Sequence, residues 1–423
     1  MKHFRIVLLA DNKLREIAGL QLLKRQLEQN ARFPVQVYIV GSIAEVQRVY
    51  FLLDEIKPDI VFISQIQEKF CRSIAQYVRK SGGKLFVLPS EVTPARVVQS
   101  LVVSSHLTYD HLLDGIFLPG KKMHSFFSAT DINKKKLLIT GSPKIDAVSL
   151  TLPVSRNKFS SEHNLPLNKK NVFIFTSFPL RSDAYYESDE CFSENLQLMK
   201  NVHTAIKANR NAYIQKLPEI CRTLSEFTVV LKPHPLEDSS VYNTIQEPNF
   251  RIITQATVQD CIPSIDVCIH WNSTACVECW LHNVTSIQYS PVTSANWLLS
   301  DFTPGNPVFS DSVKMTKQIL EYLKNEKKIP QRFLSFQKRY IEENFFRSDG
   351  KAAQRISSHV NSVMKVLSRS PITHTYAKSG RLWAPFHMLE KILGVANSRH
   401  LIGILFRSYN WRYAAENYIF ESK

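Results

Sequence analysis

The residues best suited to chemistry lie in one stretch, from Phe227 to Ser286, where three short apolar runs each break at polar positions. The first run, FTVVL, opens into Lys232-Pro233-His234-Pro235. Proline fixes its own φ, lacks an N–H and restricts the residue before it, so the two prolines hold His234 in a set direction as the run ends. A fixed imidazole beside a lysine can donate to a phosphate oxygen, although a turn with a solvated histidine uses the same residues. The third run, DVCIHW, opens into Asn272-Ser273-Thr274 and then a helix-compatible segment. Hydroxyls there can cap that helix and leave its first N–H groups and positive dipole end for a phosphate or carboxylate. Each charge-assisted bond would contribute about 1.5–3 kcal/mol, but ordinary capping explains the pair as well. Glu278 follows Thr274 by one turn on the same face. A carboxylate between Val277 and Cys279 should not be buried unpaired, and either two ribose hydroxyls or a lysine would satisfy it.

These groups can act together only if the runs are buried strands that end at one edge of a sheet. Apolar runs of this length bounded by turns fit parallel strands, and open α/β sheets take ligands at the strands' carboxyl ends. His234 and the Ser273-Thr274 pair are therefore expected at the ends of neighbouring strands. Upstream, RIVLLA, VQVYIVG, IVFIS, KLFVLP, GIFLP and KLLITG alternate with helical patterns, which predicts a doubly wound first domain over 1–145. A polar stretch at 146–170 reads as a linker, and the alternation restarts at NVFIFTS to give a second such domain over 171–310. Helices at 311–370 would complete the fold. In the first domain Asp11, Ser64 and Glu91 all fall just after strands. Asp11 or Glu91 could act as a general base toward a hydroxyl or as a nucleophile toward a sugar carbon; capping or first-turn acids are the plainer alternative.

Composition narrows the classes. The 423 residues carry 53 Lys and Arg against 37 Asp and Glu, a formal charge of +16, which points to an anionic partner without choosing one. No GxGxxG follows the first strand, where ADNKLREIAG stands, and no GxxxxGK[ST] occurs, which argues against dinucleotide oxidoreductases and P-loop ATPases. Asp183, Glu187, Asp189 and Glu190 form an acidic cluster that reads as a solvated loop, and no metal site is expected. Of the seven cysteines only Cys276 and Cys279 stand in a CxxC spacing, and all seven read as thiols of a reducing, cytoplasmic compartment, most of them buried. The opening MKHFRIVLLADNK reads as a strand, and no apolar stretch reaches 18 residues. A non-catalytic polyanion-binding module is the alternative of another class. No zinc-finger, cold-shock or RNP-like signature accompanies the charge, so a nucleic-acid partner is not expected. Residues 371–423 are basic and aromatic, suited either to an anionic membrane surface or to packing back on the first domain.

Four elements, ITGSPKID (139–146), LKPHP (231–235), DVCIHWNSTACVE (266–278) and RSDGKAAQR (347–355), together resemble the GT-B glycosyltransferases of bacterial surface carbohydrate biosynthesis. That group includes capsule and lipopolysaccharide Kdo transferases, polysialyltransferases and CDP-glycerol glycerophosphotransferases. The resemblance covers about residues 1–365. It implies two Rossmann-like domains facing each other across a cleft, with the donor on the second domain and a saccharide or lipid-linked acceptor against the first. Lys232 and His234 would meet the donor phosphate, Asn272, Ser273 and Thr274 the phosphate or a sugar carboxylate, and Glu278 the ribose. Catalysis would need no metal and no permanently bound cofactor. CMP-Kdo is the expected donor, with CDP-glycerol or a UDP-sugar as alternatives, at the cytoplasmic face of the inner membrane.

Overall fold

The computed structural model describes residues 3–10, 13–41, 46–66, 69–89, 108–150, 154–179, 196–235, 237–369 and 420–421. Asp11, Glu91, the acidic cluster at 183–190 and nearly all of the tail beyond 370 lie outside the described residues. The chain forms two compact units, one from Met1–Val92, Leu101–Ala147 and Glu343–Lys423, the other from Thr93–Ser100 and Val148–Glu342.

In chain order the first unit begins with β1 (Phe4–Ala10), α1 (Lys13–Gln29), β2 (Val35–Gly41), α2 (Val46–Ile56), β3 (Ile60–Ile63), α3 (Lys69–Lys80) and β4 (Lys84–Val87). It continues with β5 (Gly115–Leu118), α4 (Lys121–Ser128), β6 (Leu137–Ile139) and α5 (Pro143–Leu150). The second unit contains α6 (Arg156–Glu162), β7 (Asn171–Phe175), α7 (Leu196–Thr223), β8 (Thr228–Lys232), β9 (Phe250–Ile252), α8 (Val258–Cys261), β10 (Val267–His270) and α9 (Ala275–Leu281). Next come β11 (Thr285–Tyr289), β12 (Val308–Phe309), α10 (Ser312–Leu323) and α11 (Gln331–Asn344); α12 (Ala352–Arg369) returns to the first unit, as does the short β13 (Phe420–Glu421).

The first sheet runs β13-β2-β1-β3-β4-β5-β6, parallel except for β13. Alternation along its strands sends Val7, Leu9, Val61, Ile63 and Leu85 to one face, against α2 and α3. It sends Ile6, Leu8, Phe62, Phe86 and Phe117 to the other, against α1 and α12. Stacked Phe62, Phe86 and Phe117, with ring centroids 5.4–5.7 Å apart, meet Ile356, Val360 and Met364 there. Full burial of each aliphatic side chain contributes about 1.5–3 kcal/mol.

Two of the sequence elements meet in this unit. Asp146, at the end of ITGSPKID, accepts from Gly350 N at 3.1 Å and Ala352 N at 2.7 Å, and so caps α12 from 200 residues away in sequence. Arg355 Nη1 donates to Thr140 O at 3.1 Å and its other nitrogen pairs with Asp349. Gly141, at φ +87°, leaves room for Ala352 and Phe346. ITGSPKID and RSDGKAAQR thus form a single structural joint.

The second sheet runs β12-β11-β10-β7-β8-β9, all parallel. Val172, Ile174, Val229, Leu231 and Ile269 pack under α7 and α10, while Phe173, Phe175, Val230 and Cys268 pack under α6, α8 and α9. Six of the seven cysteines are described, and all six are buried and outside any disulfide. Burial pushes the Cys221 thiol up to about 12 and raises that of Cys261 further, so neither ionises near neutrality.

Candidate functional site

In a doubly wound sheet the strand order reverses at a switch point, and ligands sit outside the carboxyl ends there. The second sheet reverses between β7 and β10. His234 and the Asn272-Ser273-Thr274 turn lie on this edge, but not on neighbouring strands as expected: β7 runs between β8 and β10. Pairing order leaves no periodic trace in a sequence, which is why that detail was missed. Two strand spacings put the ends of β8 and β10 about 10 Å apart.

Side chains bridge that interval. The backbone N–H groups of His234 (3.3 Å) and Phe178 (3.4 Å) and Thr176 Oγ1 (2.7 Å) all donate to Glu237 Oε2, while Tyr242 Oη donates to Oε1. Phe178, just beyond β7, stacks on Trp271 with centroids 5.0 Å apart, and Trp271 leads directly into Asn272. Glu237 therefore ties the proline-flanked turn to β7, and the stacked rings tie β7 to the turn after β10. Burial raises the Glu237 pKa, and the four donors oppose that rise. Its place three residues after His234 was the only available signal; its partners Thr176 and Tyr242 carried none.

The other expected residues divide by environment. Lys232 is buried beside Cys261 and Asp260, its Nζ 3.4 Å from Thr254 O, and desolvation lowers its pKa. Asn272 adopts φ +52°, a conformation asparagine tolerates better than most residues. Its amide is engaged within the fold, accepting from Ser300 N at 2.7 Å and donating to Leu298 O at 2.9 Å. Ser273 Oγ accepts from Ala275 N at 3.3 Å, whereas Thr274 makes no side-chain cap. Glu278 is buried on α9, on the Cys261 side of the sheet.

His270, the last residue of β10, is fully buried, and neither ring nitrogen has a hydrogen-bond partner; Gln288, paired with it in register, has an equally unpartnered amide. Burial depresses the His270 pKa to about 4, and the Asn306 side chain opposes that shift. As pH falls below about 6.5 the unfolded chain takes up a proton that the folded chain refuses until about pH 4, so this stability is full above that window and lost as pH drops through it. Between pH 7.5 and 5, denaturant titration should show the native protein losing about 2 kcal/mol more than a His270→Gln variant, at 1.36 kcal/mol per pKa unit.

The first sheet reverses between β1 and β3. At that reversal Leu9, Phe62, Leu88 and Pro89 floor a recess of about 30 Å³, with Glu16, Ser64, Ser142 and Lys144 among its polar lining residues. Ser64 Oγ is buried there without a partner. Gly19 keeps the wall thin: a Cβ on it would stand 2.7 Å from Lys144 N. Among the described residues no group of three or more His, Cys, Asp and Glu side chains could hold a metal ion, and no helix is long and apolar enough to cross a membrane.

Two doubly wound parallel sheets with C-terminal helices decide the architecture. The fold is of the GT-B type. Solved structures similar to it include S. aureus MnaA with UDP, at TM-score 0.56 and 13% identity over 87% of this chain and 99% of that one. The Neisseria meningitidis UDP-GlcNAc 2-epimerase bound to UDP-GlcNAc gives 0.54 and 13% over 86% and 100%. A variant of the wall teichoic acid polymerase TagF with CDPG gives 0.56 and 11% over 86% and 89%. No family model matches the chain, and no curated protein matches it in sequence.

Proposed function

We propose that this chain is a GT-B transferase of bacterial surface-polymer biosynthesis that draws on a nucleoside-diphosphate-activated donor, either a CDP-glycerol type or a UDP-sugar. The observation that carries this reading is the Glu237 hub, which sets the backbone of His234 on the carboxyl edge that also holds Ser273. On this reading His234 donates to a donor phosphate oxygen. Lys232 lends positive charge from below, Ser273 and Thr274 line the far side, Asn272 shapes that turn, and Glu278 receives the ribose hydroxyls. The folds resembling this one hold UDP, UDP-GlcNAc and CDPG, which favours a diphosphate over the CMP-Kdo suggested by the sequence elements.

The acceptor would be bound by the first unit, with Asp11 or Glu91 taking the proton of its hydroxyl. From a UDP-sugar, its oxygen would bond to the anomeric carbon as UDP leaves. From CDP-glycerol, it would bond to the β-phosphorus as CMP leaves. His234 would stabilise the charge that develops on phosphate in either case. The acceptor would be a saccharide or lipid-linked saccharide at the cytoplasmic membrane face, to which the basic, aromatic tail could lend contact.

A melting panel with CMP, CDP, UDP, GDP and ADP tests the donor class. Ligand at 100 times its Kd contributes about 2.7 kcal/mol, so CDP or UDP should raise Tm by about 5–10 °C. Selective stabilisation by CMP alone would instead support CMP-Kdo, and no response to any nucleotide would remove the proposal. Product mass then separates sugar transfer from polyol-phosphate transfer, while turnover without acceptor would indicate epimerisation.

A further inference from the structure

Helix α7 has 28 residues, about 42 Å, whereas the strands it covers have about five, roughly 17 Å. Its register on the sheet is set at two points. Tyr213 Oη donates to the carbonyl of Tyr289, the last residue of β11, at 2.9 Å, and Asn209 Oδ1 accepts from Val292 N, just beyond that strand, at 3.4 Å. Residues 209–213 are thus level with the carboxyl edge that carries His234.

Arg210 lies on the inward stripe of this helix, four after Ile206, three before Tyr213 and seven before Leu217, all of them buried. An arginine stands where the pattern calls for an apolar residue. Its Nε is buried without an acceptor, and among the described residues it forms no ion pair. The direction it points is marked by its neighbours, since its charge favours the ionised forms of Asp238 and Tyr242, which follow the His234–Glu237 turn, and Tyr242 itself donates to Glu237. A half-buried guanidinium is costly unless an anion completes it, and its planar fork suits the oxygens of a phosphate.

We propose that Arg210 grips the second phosphate of a nucleoside diphosphate whose other phosphate is met by His234. This rests on the donor site proposed above and makes Arg210 the residue that distinguishes diphosphates from monophosphates. Calorimetric titration of CMP and CDP into the full chain and into Arg210→Met and Arg210→Lys variants tests it. Methionine keeps the apolar stem, and lysine keeps the charge if the methionine variant folds poorly. The native protein should bind CDP more tightly than CMP. Arg210→Met should weaken CDP 10- to 100-fold and change CMP less than twofold, with Arg210→Lys between. Unchanged CDP affinity, or equal weakening of both nucleotides, would overturn the role of Arg210 while leaving the donor site standing. A native protein that binds neither nucleotide, nor UMP or UDP in the same titration, would overturn both.

Discussion

Alanine at position 234 is expected to lower transfer about 100- to 1000-fold, the range seen when one donor to a developing oxyanion is removed. The fold should survive, because Pro233 and Pro235 still shape the turn and the backbone N–H of residue 234 still reaches Glu237. His234→Gln, which keeps a donor near the same place, should recover part of the rate. The check is kcat/KM with a saturating acceptor beside a melting curve. Rates equal to those of the native protein would remove the imidazole from the reaction, whatever the fate of the donor site.

The second large effect concerns stability. Asp146→Ala strips α12 of an acceptor for two backbone N–H groups, each charge-assisted bond contributing about 1.5–3 kcal/mol. Burial raises the Asp146 pKa, so the ionised carboxylate is held at some cost and the net loss should fall below the sum, near 3 kcal/mol. For a unit of this size that corresponds to about 6–12 °C in Tm. Asp146→Asn, able to accept from only one of the two donors, should lose roughly half as much. Unfolding followed by circular dichroism measures this, and an alanine variant melting with the native protein would show that α12 is held by its apolar face alone.

How far the sequence could be read depended on the range of the interactions involved. Alternating apolar runs mark strands locally, so β7, β8 and β10 fall within a few residues of their expected places. The doubly wound class follows from that alternation. Partnerships across the chain leave no such mark. Asp146 and Ala352 are adjacent only because β6 and α12 share a unit, and both belong to elements first noticed for resemblance alone. Glu237 gains its partners only because β7 brings Thr176 and Phe178 to it. Asn272 was expected to offer its amide to a ligand, yet Ser300 and Leu298 use it to hold a left-handed turn. Arg210 was hidden by its helix, where a single basic residue in an apolar stripe reads as a surface position.

The most direct test of the account is a crystal structure of the full chain with CDP. The diphosphate should lie outside β7 and β10, with the His234 imidazole and the Ser273 turn both within hydrogen-bond distance of its oxygens. Density for the nucleotide elsewhere, or with the imidazole turned away from it, would contradict the donor site on which the proposed function stands.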